Sequence, residues 1–362
     1  MDHKARLKRL QSVLAEQRLD ALLVVSLPNI RYLCGFTGSA AVLVVAQDTC
    51  HFFTDGRYAE QAREEVQGAK IKVSPKAALT AAGEWLAAAG KKWARKRLGT
   101  EGDHLSLADG SRLRKMLGPG IRLWQAPPLV ERQRMVKDAE EIARLRQAVL
   151  LGASLFDSAL ETIRPGVPEQ QVAAEMEYAA RQAGAEGMAF ETIIAAGERS
   201  ALPHGRASAA AIPARGFVVC DFGVILAGYC SDMTRTVYVG RPAADDRETY
   251  QAVREAQQAA VEEVRPGKGV AEVDRAARNV LRKKGLARYF THSTGHGVGL
   301  EIHEAPRVAT GQSEILQPGM VITIEPGVYL PGRGGVRIED MVVVTERGCE
   351  VLTPTPKELL TI

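Results

Sequence analysis

Three of the seven histidines in this chain fall within fourteen residues, at His292, His296 and His303 of THSTGHGVGLEIHE (291–304). Their separations of four and seven would place them on one helical face. Gly295, Gly297 and Gly299 stand at alternate positions between them, however, and each glycine costs a helix about 1 kcal/mol relative to alanine. The stretch therefore reads as a strand or extended loop whose backbone approaches another segment closely. Histidines on such backbone serve as metal ligands or proton carriers more readily than as core filler.

Carboxylates provide the chemistry these histidines could join. FVVCDFGVILAGYCSDMTRTVYVG (217–240) has two β-rich runs flanking Ala227-Gly228, a hairpin signal. With those residues at the turn, Asp221 faces Thr234, and Asp232 lies on the same face as its diagonal neighbour. Two carboxylates among Val218, Val219, Val224 and Ile225 would repel and desolvate unless a cation stood between them. GMVITIEPGVYLPGRGGVRIEDMVVV (319–344) reads as a second pair of apolar strands facing each other across a Gly/Pro loop. Glu325 ends the first of these strands and Glu339 lies inside the second, sharing a face with Arg337. Four convergent carboxylates with one or two histidines make a hard, oxygen-rich site for two divalent ions. Mn²⁺ is favoured over Zn²⁺ on ligand type, with Co²⁺ a possible substitute. Paired ions about 3.5–4 Å apart are suited to hydrolysis.

The elements that must position these residues repeat. From 138, a long amphipathic helix capped by Asp138 is followed by Arg164-Pro165-Gly166 and a second helix starting at Pro168. At an offset of 101, Arg265-Pro266-Gly267 follows another helix and leads into a fourth, with Val172, Arg181 and Gly184 mapping to Val273, Arg282 and Gly285. Each half then runs into β-rich sequence. The second domain is thus expected to be two related halves about a pseudo-twofold axis, with the site where they meet. Residues 1–130 alternate helix and strand patterns, as in an α/β layer domain. QAPPLVERQRMVKD (125–138) reads as a linker.

Composition narrows the class. The chain has 362 residues, 25% of them charged, and a net charge of 47 − 43 = +4. That is long enough for two domains. The basic runs KKWARKR (91–97) and RKK (282–284) carry few aromatics, so no nucleic-acid partner is expected. The N-terminus lacks an apolar signal-peptide core, and no run of about 18 apolar residues occurs, so no membrane partner is expected. Five scattered cysteines without C-x-x-C suit reduced thiols in a cytoplasm, with Cys220 and Cys230 read as small buried hydrophobes.

LPHG (202–205), CDFG (220–223), YCSDMTRT (229–236), HSTGHGVGLEIHE (292–304), TIEPG (323–327) and RIED (337–340), in this order, resemble the metal-dependent pita-bread peptidases. This M24 group includes aminopeptidase P, prolidase and methionine aminopeptidase. NIRYLCGFTGS (29–39) and FFTDGRYAEQA (52–62) are similar to the amino-terminal domain of the proline-directed members. The resemblance covers essentially the whole chain. It implies a creatinase-like, ribonuclease-H-like α/β domain over 1–130 and an α+β pita-bread catalytic domain over 131–362. It implies metal ligation by Asp221, Asp232, His296, Glu325 and Glu339, with Asp232 and Glu339 bridging. Glu325 would double as general base, and His204, His292 and His303 would face the substrate. Arg337 would buttress the bridging carboxylates, and Tyr329 would line the pocket.

All five ligands are intact, which argues against a metal-free relative such as creatinase or a non-catalytic binding protein. The leading reading is a dinuclear-metal Xaa-Pro aminopeptidase, a homodimer by resemblance, acting on peptides with proline second. The alternative is an Xaa-Pro dipeptidase (prolidase). A strict dipeptidase needs an arginine to capture the proline carboxylate. Arg307, Arg333 and Arg337 are the candidates, and nothing in the sequence fixes one on a substrate.

Overall fold

Leu7, Leu10 and Leu14 recur every three to four residues and bury one face of helix α1 (His3–Glu16), whose first turn is capped by the Asp2 carboxylate. The computed structural model describes residues 1–89 and 96–362. These fall into two compact units, Met1–Arg134 and Met135–Ile362. Most of the basic run 91–97 lies outside the described residues.

After α1, the first unit continues through β1 (Ala21–Val24), α2 (Leu27–Cys34), β2 (Val42–Ala46), β3 (Cys50–Asp55), α3 (Ala59–Glu65) and β4 (Lys70–Ser74). Then come α4 (Ala78–Ala88), β5 (Lys96–Glu101), α5 (Leu107–Leu117), β6 (Ile121–Ala126) and α6 (Leu129–Met135). The strands form one mixed sheet in the order β4-β3-β2-β1-β5-β6. β1 and β2 are buried along their whole length, matching their unbroken apolar runs. The linker expected at 125–138 is instead largely structured. β6 runs to Ala126, and α6 buries Leu129, Val130 and Arg134 directly after Pro127-Pro128. A proline pair is as compatible with entry into a helix as with a linker, because the first helical turn needs no N–H partner. Helix α2 is a further element that the sequence pattern does not announce, although Pro28 sits in its first turn.

The second unit opens with α7 (Ala139–Thr162), where Asp138 and Glu141 form the capping box that the sequence signals. It continues through α8 (Glu169–Gln182), β7 (Gly187–Met188), β8 (Ile193–Ala196), β9 (Gly216–Phe222), β10 (Val224–Leu226), β11 (Tyr229–Cys230) and β12 (Met233–Val239). The second half comprises α9 (Ala244–Glu263), α10 (Val270–Lys283), β13 (Gly295–Gly297), β14 (Glu304–Val308), β15 (Val321–Ile324), β16 (Gly327–Leu330), β17 (Gly334–Arg337), β18 (Asp340–Val344) and β19 (Cys349–Val351).

The duplication is physical. α8 and α10 stand at the offset of 101 residue for residue. Gly166 N–H donates to Ile212 O as Gly267 N–H does to Leu316 O. Each half has its own core. Leu155, Val172 and Val218 belong to the first, and Val253, Ala277 and Ile322 to the second. The sheets are β12-β9-β8, β11-β10-β7, β14-β13-β15-β18-β19 and the two-stranded β16-β17. Cys220 and Cys230 are buried, as expected. Among the described residues no helix is long and apolar enough to cross a membrane.

Candidate metal centre and substrate pocket

β9 and β12 pair with Asp221 opposite Thr234, the register counted from the turn, and Ala227 and Gly228 take the positive φ values that turn needs. The hairpin is not one continuous ribbon. β10 leaves to pair with β7 in another sheet. Asp232 thus stands just before β12 with its N–H donating to Met341 Sδ at 3.2 Å.

The second half departs from expectation. β15 pairs with β18, and the chain between them folds as a separate hairpin, β16–β17. Pro326 has no N–H to continue the β15 ladder. Ile324 pairs with Asp340, so Glu325 and Glu339 are the next residues out at the same sheet end. Glu339 lies between strands and not inside one. The glycines of β13 answer to close packing: a Cβ on Gly295 would fall 1.9 Å from the Thr323 carbonyl oxygen.

Apart from Tyr329, every metal-ligating or catalytic residue expected from the sequence lines one cavity of about 620 Å³ within the second unit. Asp232, His296 and Glu339 can bring one ligand atom each within 4.8 Å of one another. His296 Nε2 lies 3.5 Å from Asp232 Oδ2 and 3.6 Å from Glu325 Oε1. His296 Nδ1 meets the Gly297 carbonyl at 2.9 Å. A carbonyl only accepts, so Nδ1 carries the proton and the Nε2 lone pair faces the carboxylates. Burial holds this imidazole down to about 4, so it is neutral at ordinary pH.

The carboxylates are under strain without a cation. Burial, then the charges of Glu339, Asp221 and Glu325, raises Asp232 well above the carboxylate range. Burial, then Glu325 and Asp221, does the same to Glu339. Glu325 is pushed up to about 8 by burial, against the opposing pull of Arg337. Asp232 Oδ1 and Glu339 Oε1 are buried without a hydrogen-bond partner. Orphaned, like-charged oxygens beside an imidazole lone pair are a donor set that fits hard divalent cations.

Arg337 is buried and ion-pairs Asp221 through Nη2. Its Nη1 donates to Tyr329 OH at 2.6 Å and to Pro203 O at 3.0 Å, and its Nε to Thr234 Oγ1 at 3.1 Å. Its direct carboxylate partner is therefore Asp221. It reaches Glu339 through Thr234, so the expected buttressing of the bridging pair is corrected to an indirect one. His292 lines the cavity with its ring held by neighbouring groups. Nδ1 meets Ser293 O and Nε2 meets Tyr329 OH, both at 2.8 Å. Both ring nitrogens are engaged, with the Tyr329 hydroxyl donating to Nε2. Tyr329 is itself buried behind the cavity wall. His303 is exposed to the cavity, its ring edge-on to His296 at 4.4 Å between centroids. His204 also lines it, its neighbour Pro203 held by Arg337.

Sequence reading missed the groups behind these side chains. Arg235 Nη1 donates to Glu339 O at 2.6 Å and its Nη2 to Asp340 Oδ1 at 2.7 Å, in a buried pair. Asp274 accepts from Thr294 and pairs with Arg278, whose Nη2 donates to His292 O at 2.6 Å. A charge in an otherwise apolar strand, as at Arg235, was the available signal.

Residues 143–346 match the sequence profile of metallopeptidase family M24, and residues 6–136 that of the creatinase/prolidase N-terminal domain. The chain belongs to metallopeptidase family M24. Within it, this M24 peptidase falls in the aminopeptidase P/prolidase branch, a creatinase-type domain preceding a pita-bread domain. It is 37% identical over 358 residues to an Xaa-Pro dipeptidase of Pyrococcus horikoshii, covering 98% of each chain. A solved Xaa-Pro dipeptidase from Bacillus anthracis matches with a TM-score of 0.94 and 40% identity, covering 100% of both chains. A solved X-Pro aminopeptidase from Thermotoga maritima matches with a TM-score of 0.89 and 35% identity, over 98% of this chain and 99% of that one.

Proposed function

We propose that this M24 peptidase is an Xaa-Pro dipeptidase, a revision of the aminopeptidase reading favoured by sequence alone. The names of its full-length relatives support this, and one structural observation carries it. Arg307 on β14 is the cross-strand partner of His296 and lines the same cavity with its side chain exposed. Of the three arginines considered for carboxylate capture, Arg337 is committed to Asp221, and Arg333 reaches toward Asp245 at 3.4 Å. Arg307 is left to take the carboxylate of a dipeptide's proline as a bidentate pair.

Asp221, Asp232, His296, Glu325 and Glu339 would hold two divalent ions, Mn²⁺ by ligand type with Co²⁺ or Zn²⁺ as substitutes. When bound, such ions polarise the scissile carbonyl and acidify an attacking water. Glu325 accepts the proton of that water and returns it to the proline nitrogen as the C–N bond breaks. His303 and His204 donate toward the oxygen that gains charge at the carbonyl. His292 and Tyr329 keep Arg337, and so Asp221, in place. The proline nitrogen bears no N–H, so the pocket selects the ring by shape.

The deciding measurement is kcat/KM for an Xaa-Pro dipeptide and for its Xaa-Pro-Xaa extension with Mn²⁺ added. A dipeptide preference of about a hundredfold, roughly 2.7 kcal/mol, is expected. Equal rates, or faster cleavage of the tripeptide, would return the assignment to aminopeptidase.

A further inference from the structure

Lys137 and Glu304 form an ion pair that the proposed chemistry leaves unused. Lys137 Nζ lies 3.2 Å from Glu304 Oε2, and the two side chains are 1% and 5% exposed. Glu304 lines the same cavity as the carboxylate cluster. A buried pair of this kind contributes little net stability compared with apolar side chains of similar size. Its placement is more informative.

Lys137 is fixed by its backbone. Its N–H donates to Gly319 O at 2.9 Å, and Val136 bridges to Met320 immediately before β15, the strand that leads to Glu325. Glu304 opens β14 opposite Gly297, across the register shift that follows His296. Its Oε1 accepts the Glu301 N–H at 3.1 Å. A Cβ on Gly299 would stand 2.7 Å and 2.8 Å from the two Glu304 oxygens, so the glycine lets the carboxylate sit directly against the turn. The Gly299 carbonyl in turn accepts the Cys230 N–H at 2.8 Å. Residues 299–304 thus wrap around one carboxylate, and His303 projects into the cavity from that wrap.

We propose that Lys137 is a positioning residue for His303, acting through the Glu304 carboxylate. The inference rests on the reading of His303 as a substrate-facing group. With the ammonium in place, the Glu304 carboxylate is held where its Oε1 accepts the Glu301 N–H. Without it, Glu304 loses the cation that meets its Oε2 at 3.2 Å, and the turn wrapped around that carboxylate loses a fixed centre.

The test is a mutant cycle on purified protein saturated with Mn²⁺, using whichever Xaa-Pro dipeptide or longer peptide the wild type cleaves fastest. Lys137→Met is expected to lower kcat tenfold or more, with KM and bound Mn²⁺ within twofold of wild type. Lys137→Arg keeps at least half of kcat. In a His303→Ala background, Lys137→Met adds less than a twofold further loss. Losses that multiply in the double variant, or a fall in bound Mn²⁺ that parallels kcat, would overturn the proposal. If Lys137→Met does not fold, Glu304→Gln enters the same cycle with the same expectations. A wild type that cleaves no Xaa-Pro peptide would defeat the functional reading instead. The positioning claim is then judged by NMR: the His303 imidazole resonances, assigned by their loss in His303→Ala, move in Lys137→Met and stay in Lys137→Arg. Unmoved resonances in Lys137→Met refute it.

Discussion

The Thr234 hydroxyl donates to Glu339 Oε2 at 2.8 Å, joining the two halves of the catalytic unit across 105 residues of sequence. Thr234 Oγ1 also accepts from Arg337 Nε, so one threonine orients both a candidate bridging carboxylate and the arginine that holds Asp221. Partners behind metal ligands typically set affinity by about 10–100-fold. Thr234→Val, which keeps shape and removes the hydroxyl, is expected to weaken Mn²⁺ binding by at least tenfold in a calorimetric titration. Unchanged affinity would place Thr234 outside the metal centre.

Glu339→Gln should act in opposite directions with and without metal. In chelator, at a pH where the cluster is ionised, it removes one of several buried carboxylates whose charges raise one another's pKa, so the thermal midpoint rises. In Mn²⁺ the same change removes a proposed metal ligand, and the metal-induced stabilisation shrinks. A lowered midpoint in both conditions would contradict the charge-repulsion account.

Metal-free protein should lose stability as pH rises. Glu325 sits at about 8 and Asp232 and Glu339 also lie above their ordinary range. An unfolded glutamate titrates near about 4.3. A carboxyl raised in the folded state favours folding fully below that value and loses the contribution as pH climbs through the folded value. Urea midpoints in chelator therefore fall between about pH 4.3 and 8. With saturating Mn²⁺ the fall is expected to disappear, because the proposed ligands are the deprotonated carboxylates. Midpoints that rise in chelator over this window would refute the shifts.

Arg307→Met is expected to cost about a hundredfold in kcat/KM on an Xaa-Pro dipeptide, roughly 2.7 kcal/mol. The C-terminal amide of the same dipeptide, which offers no carboxylate, should lose less than threefold. Equal losses on both substrates would show that Arg307 does not read the carboxylate.

His204→Ala should retain its full complement of Mn²⁺ while kcat falls by about 10²-fold or more, since the residue is assigned to the carbonyl and not to metal. A loss of metal matching that of Asp232→Ala would reverse the assignment.

The opposition of Asp221 and Thr234 is legible in the sequence, because a two-residue turn at Ala227-Gly228 fixes every cross-strand pair by counting. The helix repeat is legible for a similar reason: α8 and α10 carry the same spacing of buried positions. The alternating glycines exclude a helix at 295–299 from conformational cost alone. Counting fails where a strand breaks. Pro326 interrupts the ladder after Glu325, so the path from Glu325 to Glu339 makes a second hairpin that local pattern does not announce. α6 is hidden because Pro127-Pro128 suits a helix start as well as a linker. Tertiary structure alone decides which carboxylate Arg337 meets, that Tyr329 occupies His292, and that Lys137 reaches Glu304 across 167 residues. Period and turn chemistry act over a few residues and set which way a side chain faces. Its partner depends on which distant strand is packed alongside.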